Sequence, residues 1–207
     1  MRNHVVITGT GRTGTSFLVQ LLTRLGLDTG FTVEDLDKNL DSIGRAGLES
    51  NIRDEQAAYI VKSPNISNYI EEILENPKIK LDLVVIPIRD IEAAAESRVK
   101  VSKDNLKQKG VFSQIFGSKR GHAGGMIKTS NAEKQQTILL KSLSHLLVQC
   151  AKRDQPISLI HYPRLMDDAP YLYRKLKSIL GEITEATFVE AHQKTLKPGW
   201  VSRTLGK

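Results

Sequence analysis

A glycine-rich stretch near the start of the chain has the residue types and spacing that most clearly suggest chemistry. Residues 9–16 read Gly-Thr-Gly-Arg-Thr-Gly-Thr-Ser, between an apolar run at 4–8 and an amphipathic run at 14–26. The first run predicts a buried strand and the second a helix. A glycine turn that enters a helix presents backbone N–H groups together with the positive end of the helix dipole. This stretch, which we call the glycine loop, therefore predicts an anion site, most often one for phosphate.

Two common phosphate-binding patterns fit the glycine loop only in part. The pattern of nucleotide triphosphatases, G-x-x-x-x-G-K-[ST], matches Gly9 and Gly14 but has Thr15 in place of the lysine, which disfavours hydrolysis of ATP or GTP. The dinucleotide pattern G-x-G-x-x-G needs a second strand that ends in an acid about 20 residues later. Residues 27–35 contain acidic side chains but no convincing apolar strand. Neither pattern explains Arg12, whose guanidinium places a fork of donors over a terminal anionic group.

With this arginine, the glycine loop resembles the 5′-phosphosulfate-binding loop of sulfotransferases, which use 3′-phosphoadenosine 5′-phosphosulfate (PAPS) as donor. Many bacterial members carry a G-R-S-G-T-S-like string, and the matching residues here are Gly11, Arg12, Thr13, Gly14, Thr15 and Ser16. The resemblance implies that these six residues bind the donor. It also implies that Arg12 is catalytic, because it neutralises charge on the bridge between phosphate and sulfate, and that the fold is P-loop NTPase-like.

A strand that runs into Arg-Asp is similar to a second element of the same family. The apolar run 84–88 leads into Arg89 and Asp90, and Ser97 follows eight residues after Arg89. The family often has proline two residues after the arginine, where this chain has Ile91. Its 3′-phosphate site otherwise has the same form, an arginine at the end of a strand and a serine eight residues later. The resemblance therefore implies that Arg89 and Ser97 bind the 3′-phosphate of PAPS.

The string Lys62-Ser63-Pro64, after the second predicted strand, resembles the lysine-containing string that the family has at that place. The resemblance implies that Lys62 is catalytic and contacts the transferring group. Cytosolic animal-type members carry a histidine base two residues after the lysine, and this chain has Pro64 there. The histidine base of those members is therefore absent here, and the lysine-containing string does not identify the base, if there is one.

A carboxylate after the first helix is the candidate for that base. The bacterial glycolipid and tyrosyl-protein types use a glutamate just past the first helix, and Glu34 lies 22 residues after Arg12, in about that place. A carboxylate can take a proton from an alcohol or phenol when burial raises its pKa. We expect Glu34 to act as catalytic base, with Asp35 and Asp37 as rival carboxylates.

The elements that must position these residues alternate along the chain. Short apolar runs at 4–8, 58–61, 81–88 and 157–160 predict strands. Amphipathic runs predict helices at 14–26, 66–76, 90–99, 131–152, 166–180 and 184–193. Strands that alternate with helices favour a three-layer α/β/α fold with a mostly parallel sheet. We expect one domain over residues 1–207, with Cys150 in its core.

Basic residues are concentrated in one part of the chain. Residues 98–128 contain eight basic side chains and one acidic one, and so account for the whole net charge of +7. The same part is rich in glycine, and we expect a basic loop or lid at about 100–130. A local excess of positive charge indicates an anionic partner, although a solvated loop fits as well.

Composition excludes several classes of protein. Hydrophobic residues make up 40% and charged residues 26% of the chain, as in ordinary globular proteins. No apolar run approaches the ~20 residues of a membrane span, and the N-terminus does not read as a signal peptide. The single cysteine excludes an internal disulfide, and no Cys/His cluster has zinc spacing. We expect a cytoplasmic protein without a metal.

A sulfotransferase of this kind would act on a small-molecule, glycan or lipid acceptor with a hydroxyl or amine, which the sequence does not identify. Two alternatives remain open. One is a nucleotide or small-molecule kinase-like P-loop protein with a degenerate loop. The other is a non-catalytic protein that binds nucleotides or nucleic acid, the latter disfavoured as a partner. A homo-oligomer is also left open.

Overall fold

The computed structural model describes residues 1–36, 38, 47–108 and 131–196, without the side chains of 101–108. Its strands are β1 (Arg2–Ile7), β2 (Ile60–Lys62), β3 (Ile79–Ile88) and β4 (Ile157–His161). Its helices are α1 (Thr15–Arg24), α2 (Ile70–Glu75), α3 (Ile91–Gln108), α4 (Ala132–Ala151), α5 (Arg164–Asp167), α6 (Ala169–Leu176) and α7 (Glu185–Thr195). In the described ranges, no helix combines the length and the apolar character that crossing a membrane requires.

The four strands form one sheet in the order β2-β1-β3-β4, and every neighbouring pair is parallel. Side chains alternate between its two faces, as they must in a strand. Val5 and Ile7 of β1 pack into a core with α1, α6 and α7, whereas Val6 packs into a second core with α2 and α4. The sheet is therefore covered by helices on both faces, which confirms the predicted three-layer fold with a parallel sheet.

Two of these helices show why the periodicity was informative. On α4, Leu139, Leu146 and Cys150 are buried at helical spacing, and Asn131 caps the helix by accepting a hydrogen bond from the Lys134 N–H. Cys150 is 1% exposed, and the prediction that it belongs to the core is confirmed. On α1, nine of the ten residues are buried, since this helix lies between the sheet and α7.

Some predicted boundaries are wrong for local reasons. The helix expected at 90–99 continues to Gln108, so the first part of the basic segment is helical rather than a loop, and residues 109–130 lie outside the described ranges. The helix expected at 66–76 is a 3₁₀ turn followed by α2, separated at Tyr69, whose backbone (φ −147°) is not helical. The helix expected at 166–180 is interrupted at Asp168, which caps α6 by accepting from the Tyr171 N–H.

The sheet has a topological switch point at the carboxyl ends of β1 and β3. The chain leaves β1 through α1, which packs on one face, and leaves β3 through α3, which packs on α4 of the other face. In open α/β sheets, ligands bind in the crevice that such a divergence opens. The glycine loop follows β1 and Arg89 follows β3, so both lie at this crevice.

Candidate functional site

The backbone of the glycine loop takes a conformation that ordinary residues avoid. Gly11 (φ +68°) and Gly14 (φ +84°) both lie in the left-handed region, and so does Arg12 (φ +59°). A non-glycine residue in this region is disfavoured by ~1–3 kcal/mol and persists only where the surroundings hold it. Such strain is concentrated at ligand clamps and active sites. The loop is therefore held in a particular shape by contacts with the rest of the fold.

Close neighbours explain why two of the loop positions are glycine. A Cβ on Gly11 would lie 2.4 Å from Nη2 of Arg98, and a Cβ on Gly14 would lie 3.1 Å from Cδ1 of Leu165. Leu165 belongs to the segment that follows β4, and its carbonyl oxygen is 2.9 Å from Nε2 of the buried His192. The loop is thus packed between α3 on one side and α5 on the other.

The N-terminus of α1 has no side-chain cap. Gly14, the residue before the helix, has no side chain that could accept from the first N–H groups, and the first turn contains no acidic residue. Thr13 is fully buried beside this helix end, and its Oγ1 has no hydrogen-bond partner among the described contacts. Exposed N–H groups at a helix N-terminus favour an anion. The orphaned hydroxyl is a second sign that a polar ligand belongs here.

Arg12, Ser97 and Arg89 come together although they are far apart in sequence. Nε of Arg12 donates to Oγ of Ser97 at 3.2 Å, which joins the glycine loop to α3. Nη1 of Arg89 donates to the carbonyl oxygen of Arg12 at 3.4 Å, and its guanidinium lies 5.0 Å from the ring centre of Tyr162. Each of the three side chains is partly exposed, so each can still reach a ligand. The structure therefore brings the first two predicted motifs into contact.

Lys62, at the end of β2, lies close enough to Arg12 for their charges to interact. We call Arg12, Lys62, Arg89 and Ser97 the cluster. Nζ of Lys62 donates to Oγ of Ser16 at 2.9 Å and to the carbonyl oxygen of Gly47, and it lies 3.6 Å from Oε1 of Glu49. The side chain is only 2% exposed. Burial lowers the pKa of Lys62 to about 8, with a smaller contribution from the charge of Arg12, and Glu49 partly opposes the shift. A lysine side chain is thus held beside the first turn of α1.

Arg98 is a buried arginine at the glycine loop that the sequence reasoning did not single out. It is 6% exposed, and both Nε (3.1 Å) and Nη2 (2.6 Å) donate to the carbonyl oxygen of Thr10. Burial, and then the nearby charge of Arg12, lower the pKa of Arg98 to about 10. In the sequence it is one of eight basic residues within 98–128, so only its position next to Ser97 could have drawn attention to it.

Glu34 is not placed beside this cluster. It is exposed, in the 3₁₀ turn Val33–Asp35. Val33 lines a surface cavity with Arg24 and Leu25 at the C-terminal end of α1. A helix of ten residues is about 15 Å long, so this turn lies at the end of α1 that is remote from the glycine loop.

Of the two other expected carboxylates, Asp35 lies in the described part of the chain, where its side chain makes local contacts. Asp35 accepts a hydrogen bond from Thr32 and pairs with Lys38, and Asp37 lies outside the described residues. Among the described residues, the carboxylate that pairs with Lys62 is Glu49, which the sequence reasoning missed because Glu49 precedes β2 and does not follow α1.

A cavity of about 240 Å³ lies behind the glycine loop, between the loop and α4. Thr10 and Arg98 form one wall, and Asn65, Asn68 and Ser142 contribute further polar side chains. Thr10 is 5% exposed, and its Oγ1 has no partner among the described contacts. The cavity is small for a drug-sized ligand, for which ~300–1,000 Å³ is usual.

The cluster offers cations and hydrogen-bond donors rather than metal ligands. In the part of the chain that the structure describes, no three His, Cys, Asp or Glu side chains are grouped so as to hold a metal ion. Arrangements of this kind bind phosphate-like anions and stabilise charge that develops on them. No model of a known protein family matches the chain, and no curated protein matches it significantly. The interpretation of the site therefore depends on its geometry.

Proposed function

We propose that the protein is a PAPS-dependent sulfotransferase with a P-loop-like donor site, which moves a sulfuryl group to a hydroxyl or amine of its acceptor. The observation that carries the proposal is the contact between Arg12 and Ser97, 85 residues apart, with Arg89 bound to the same stretch of backbone. The resemblance assigns these residues to the two ends of one donor molecule. A single ligand with anionic groups at both ends accounts for their convergence.

The donor would span the crevice at the switch point of the sheet. N–H groups of the loop and the first turn of α1, from Thr13 to Ser16, would hold the 5′-phosphate, with the Thr13 hydroxyl as a further donor. Arg89 and Ser97 would bind the 3′-phosphate, which distinguishes this donor from ATP. Arg12 lies between the two groups because it contacts Ser97 through its side chain and Arg89 through its backbone.

The reaction would be an in-line transfer without a covalent enzyme intermediate. An acceptor oxygen or nitrogen forms a bond to sulfur while the bond from sulfur to the bridging phosphate oxygen breaks. The leaving group is adenosine 3′,5′-bisphosphate, whose 5′-phosphate gains negative charge. The Arg12 guanidinium and the Lys62 ammonium stabilise that charge, as cations do in phosphoryl transfer.

The acceptor proton needs a base near the cations. Glu49 is a carboxylate that lies 3.6 Å from Nζ of Lys62. We assign it this role in place of Glu34, which the exposed 3₁₀ turn holds near the other end of α1. Glu49 is partly exposed, and an acceptor can therefore approach it from solvent.

One observation favours a kinase-like protein as the second candidate. Nζ of Lys62 is 2.9 Å from Oγ of Ser16, so a lysine from β2 could supply the charge that Thr15 cannot. Such a protein would need ATP and a divalent cation. It would give no reason for the contact between Arg12 and Ser97.

The proposal can be tested by incubating the purified protein with ³⁵S-labelled PAPS and measuring the release of labelled sulfate. In this assay water replaces the unidentified acceptor. We expect slow release in the wild type and none in Arg12→Asn, since asparagine tolerates the left-handed backbone better than alanine does. The matched control Arg153→Met removes an arginine that pairs with Glu75, away from the site. Equal release by the three proteins, or release by none together with phosphoryl transfer from ATP, would contradict the proposal.

A further inference from the structure

The peptide unit between Thr10 and Gly11 is held from outside the glycine loop. Two donors of Arg98 are directed at the Thr10 carbonyl oxygen, at 3.1 and 2.6 Å. Because a peptide unit is planar and trans, the Gly11 N–H points away from the side to which the Thr10 carbonyl points. A guanidinium that fixes this carbonyl towards α3 therefore also fixes the direction of the Gly11 N–H, away from α3.

A neighbouring peptide unit is held in the same way. Arg89 donates to the carbonyl oxygen of Arg12, which directs the Thr13 N–H away from Arg89. The two arginines come from different elements, the end of β3 and the third turn of α3, yet they hold alternate peptide units of one loop. Glycine loops that bind anions depend on the direction of successive N–H groups, since a single flipped peptide unit replaces a donor by a carbonyl oxygen.

The contact between Arg98 and the loop is close as well as polar. The guanidinium covers Gly11 so tightly that a Cβ there would come within 2.4 Å of Nη2. Arg98 is also buried next to another cation, since the charge of Arg12 contributes to the lowered pKa of Arg98. An apolar side chain could fill this space without that electrostatic penalty, but it could not hold the carbonyl.

We propose that Arg98 is a positioning residue of the anion site: it fixes the Thr10–Gly11 peptide unit so that the Gly11 N–H is directed at the bound anion. This inference rests on the part of the proposed function that makes the glycine loop an anion site. It does not depend on the identity of the donor. It assigns to Arg98 an effect on ligand affinity that exceeds its effect on folding.

The test is chemical rescue of Arg98→Ala. The cavity behind the loop has Arg98 in its wall, so truncation leaves a space that a free guanidinium ion can enter. Inorganic pyrophosphate is the probe, because it contains the anionic groups but neither the adenosine nor the 3′-phosphate. Its Kd is measured by calorimetry for the wild type, Arg98→Ala and the control Arg153→Ala. The measurements are repeated with ~20 mM guanidinium chloride, which is far below denaturing concentrations, or the same concentration of sodium chloride.

We expect Arg98→Ala to bind pyrophosphate about 10- to 100-fold more weakly, as for loss of a hydrogen bond to a charged group. Guanidinium should restore most of the affinity, sodium should not, and Arg153→Ala should bind as the wild type does. If Arg98→Ala does not fold, Arg98→Lys serves instead. Lysine can hold the carbonyl with one donor and leaves Gly11 uncovered, so we expect a smaller loss that guanidinium does not change.

Three results would overturn the role of Arg98. The first is that Arg98→Ala binds pyrophosphate as tightly as the wild type does. The second is that Arg98→Ala and the Arg153→Ala control lose affinity for pyrophosphate equally and guanidinium restores neither. The third is that the wild type does not bind pyrophosphate. The proposed function is tested separately by comparing adenosine 3′,5′-bisphosphate with 5′-ADP. If the wild type binds pyrophosphate but does not prefer the 3′-phosphorylated nucleotide, the proposed donor is wrong and the role of Arg98 stands.

Discussion

The buried ammonium of Lys62 gives a quantitative prediction for the pH dependence of ligand binding. The pKa of Lys62 is lowered from 10.5 to about 8, mainly because the side chain is almost fully buried. An anion bound at the loop favours the charged form and therefore raises this pKa again. Above pH 8, Lys62 of the free protein loses its proton, and with it the positive charge that favours binding of the anion. We expect the Kd for adenosine 3′,5′-bisphosphate to rise by up to tenfold per pH unit between pH 8 and the pKa of the complex.

The same shift predicts how stability changes with pH. Since the unfolded chain keeps the ordinary pKa of 10.5, it binds more protons than the folded protein between pH 8 and 10.5, and the free energy of unfolding rises with pH across that window. Below pH 8 the full penalty of burying the charge is present. At 1.36 kcal/mol per pKa unit it is about 3 kcal/mol.

The assay compares the wild type with Lys62→Met. Calorimetric Kd values and urea unfolding are measured from pH 6.5 to 10, and the difference between the two proteins isolates Lys62 from every other titrating group. We expect the wild type to gain stability relative to Lys62→Met between pH 8 and 10. The affinity of Lys62→Met should be weak and independent of pH over the same range. If the two proteins show parallel profiles, or if Nζ of Lys62 titrates near 10.5 by NMR, the reasoning about this site is wrong.

Three further tests, the second of which compares two variants, probe the remaining parts of the site. Arg89→Met should weaken the binding of adenosine 3′,5′-bisphosphate about 10-fold or more in calorimetry, and the binding of 5′-ADP by less, because only the former has the 3′-phosphate that Arg89 binds. Equal losses of affinity for the two nucleotides would contradict that assignment. Glu49→Gln should lower kcat by ~10²–10⁴, the usual range for loss of a general base. Glu34→Gln should change kcat less than twofold. A large loss of kcat in Glu34→Gln with little change in Glu49→Gln would restore Glu34 as the base. Gly14→Ala should lower the free energy of unfolding by ~1–2 kcal/mol, since the φ of Gly14 is +84° and Leu165 is close. Thermal unfolding should then show a Tm that is lower by ~2–8 °C. An unchanged Tm would mean that the loop can relax.

The fold could be predicted largely from the sequence because its short apolar runs and the apolar stripes of its helices are distinct. Short apolar runs mark β1, β3 and β4, and the stripe on α4 includes Cys150, as the structure confirms. The boundaries were less certain, since they depend on single residues whose effect is local. Asp168 interrupts one expected helix by capping the next, and no change in hydrophobic pattern marks the place.

The site could be predicted only where its residues lie in recognisable strings. Arg12, Arg89 and Lys62 follow predicted strands, and parallel strands bring their carboxyl ends to one edge of the sheet. Arg98 and Glu49 lack such a context. They belong to the site through contacts with Thr10 and Lys62 across the fold, and spacing along the chain does not reveal contacts of that kind.

The most direct test of the central claim is a thermal-shift comparison of four ligands: adenosine 3′,5′-bisphosphate, ADP, ATP with magnesium, and NAD. A ligand at ~100 times its Kd adds about 2.7 kcal/mol, which for a domain of this size raises Tm by roughly 5–11 °C. We predict a shift of that size with the 3′-phosphorylated nucleotide and little or none with the other three. A shift with ATP or NAD instead, or with none of the four, would contradict the assignment of the glycine loop to a PAPS site.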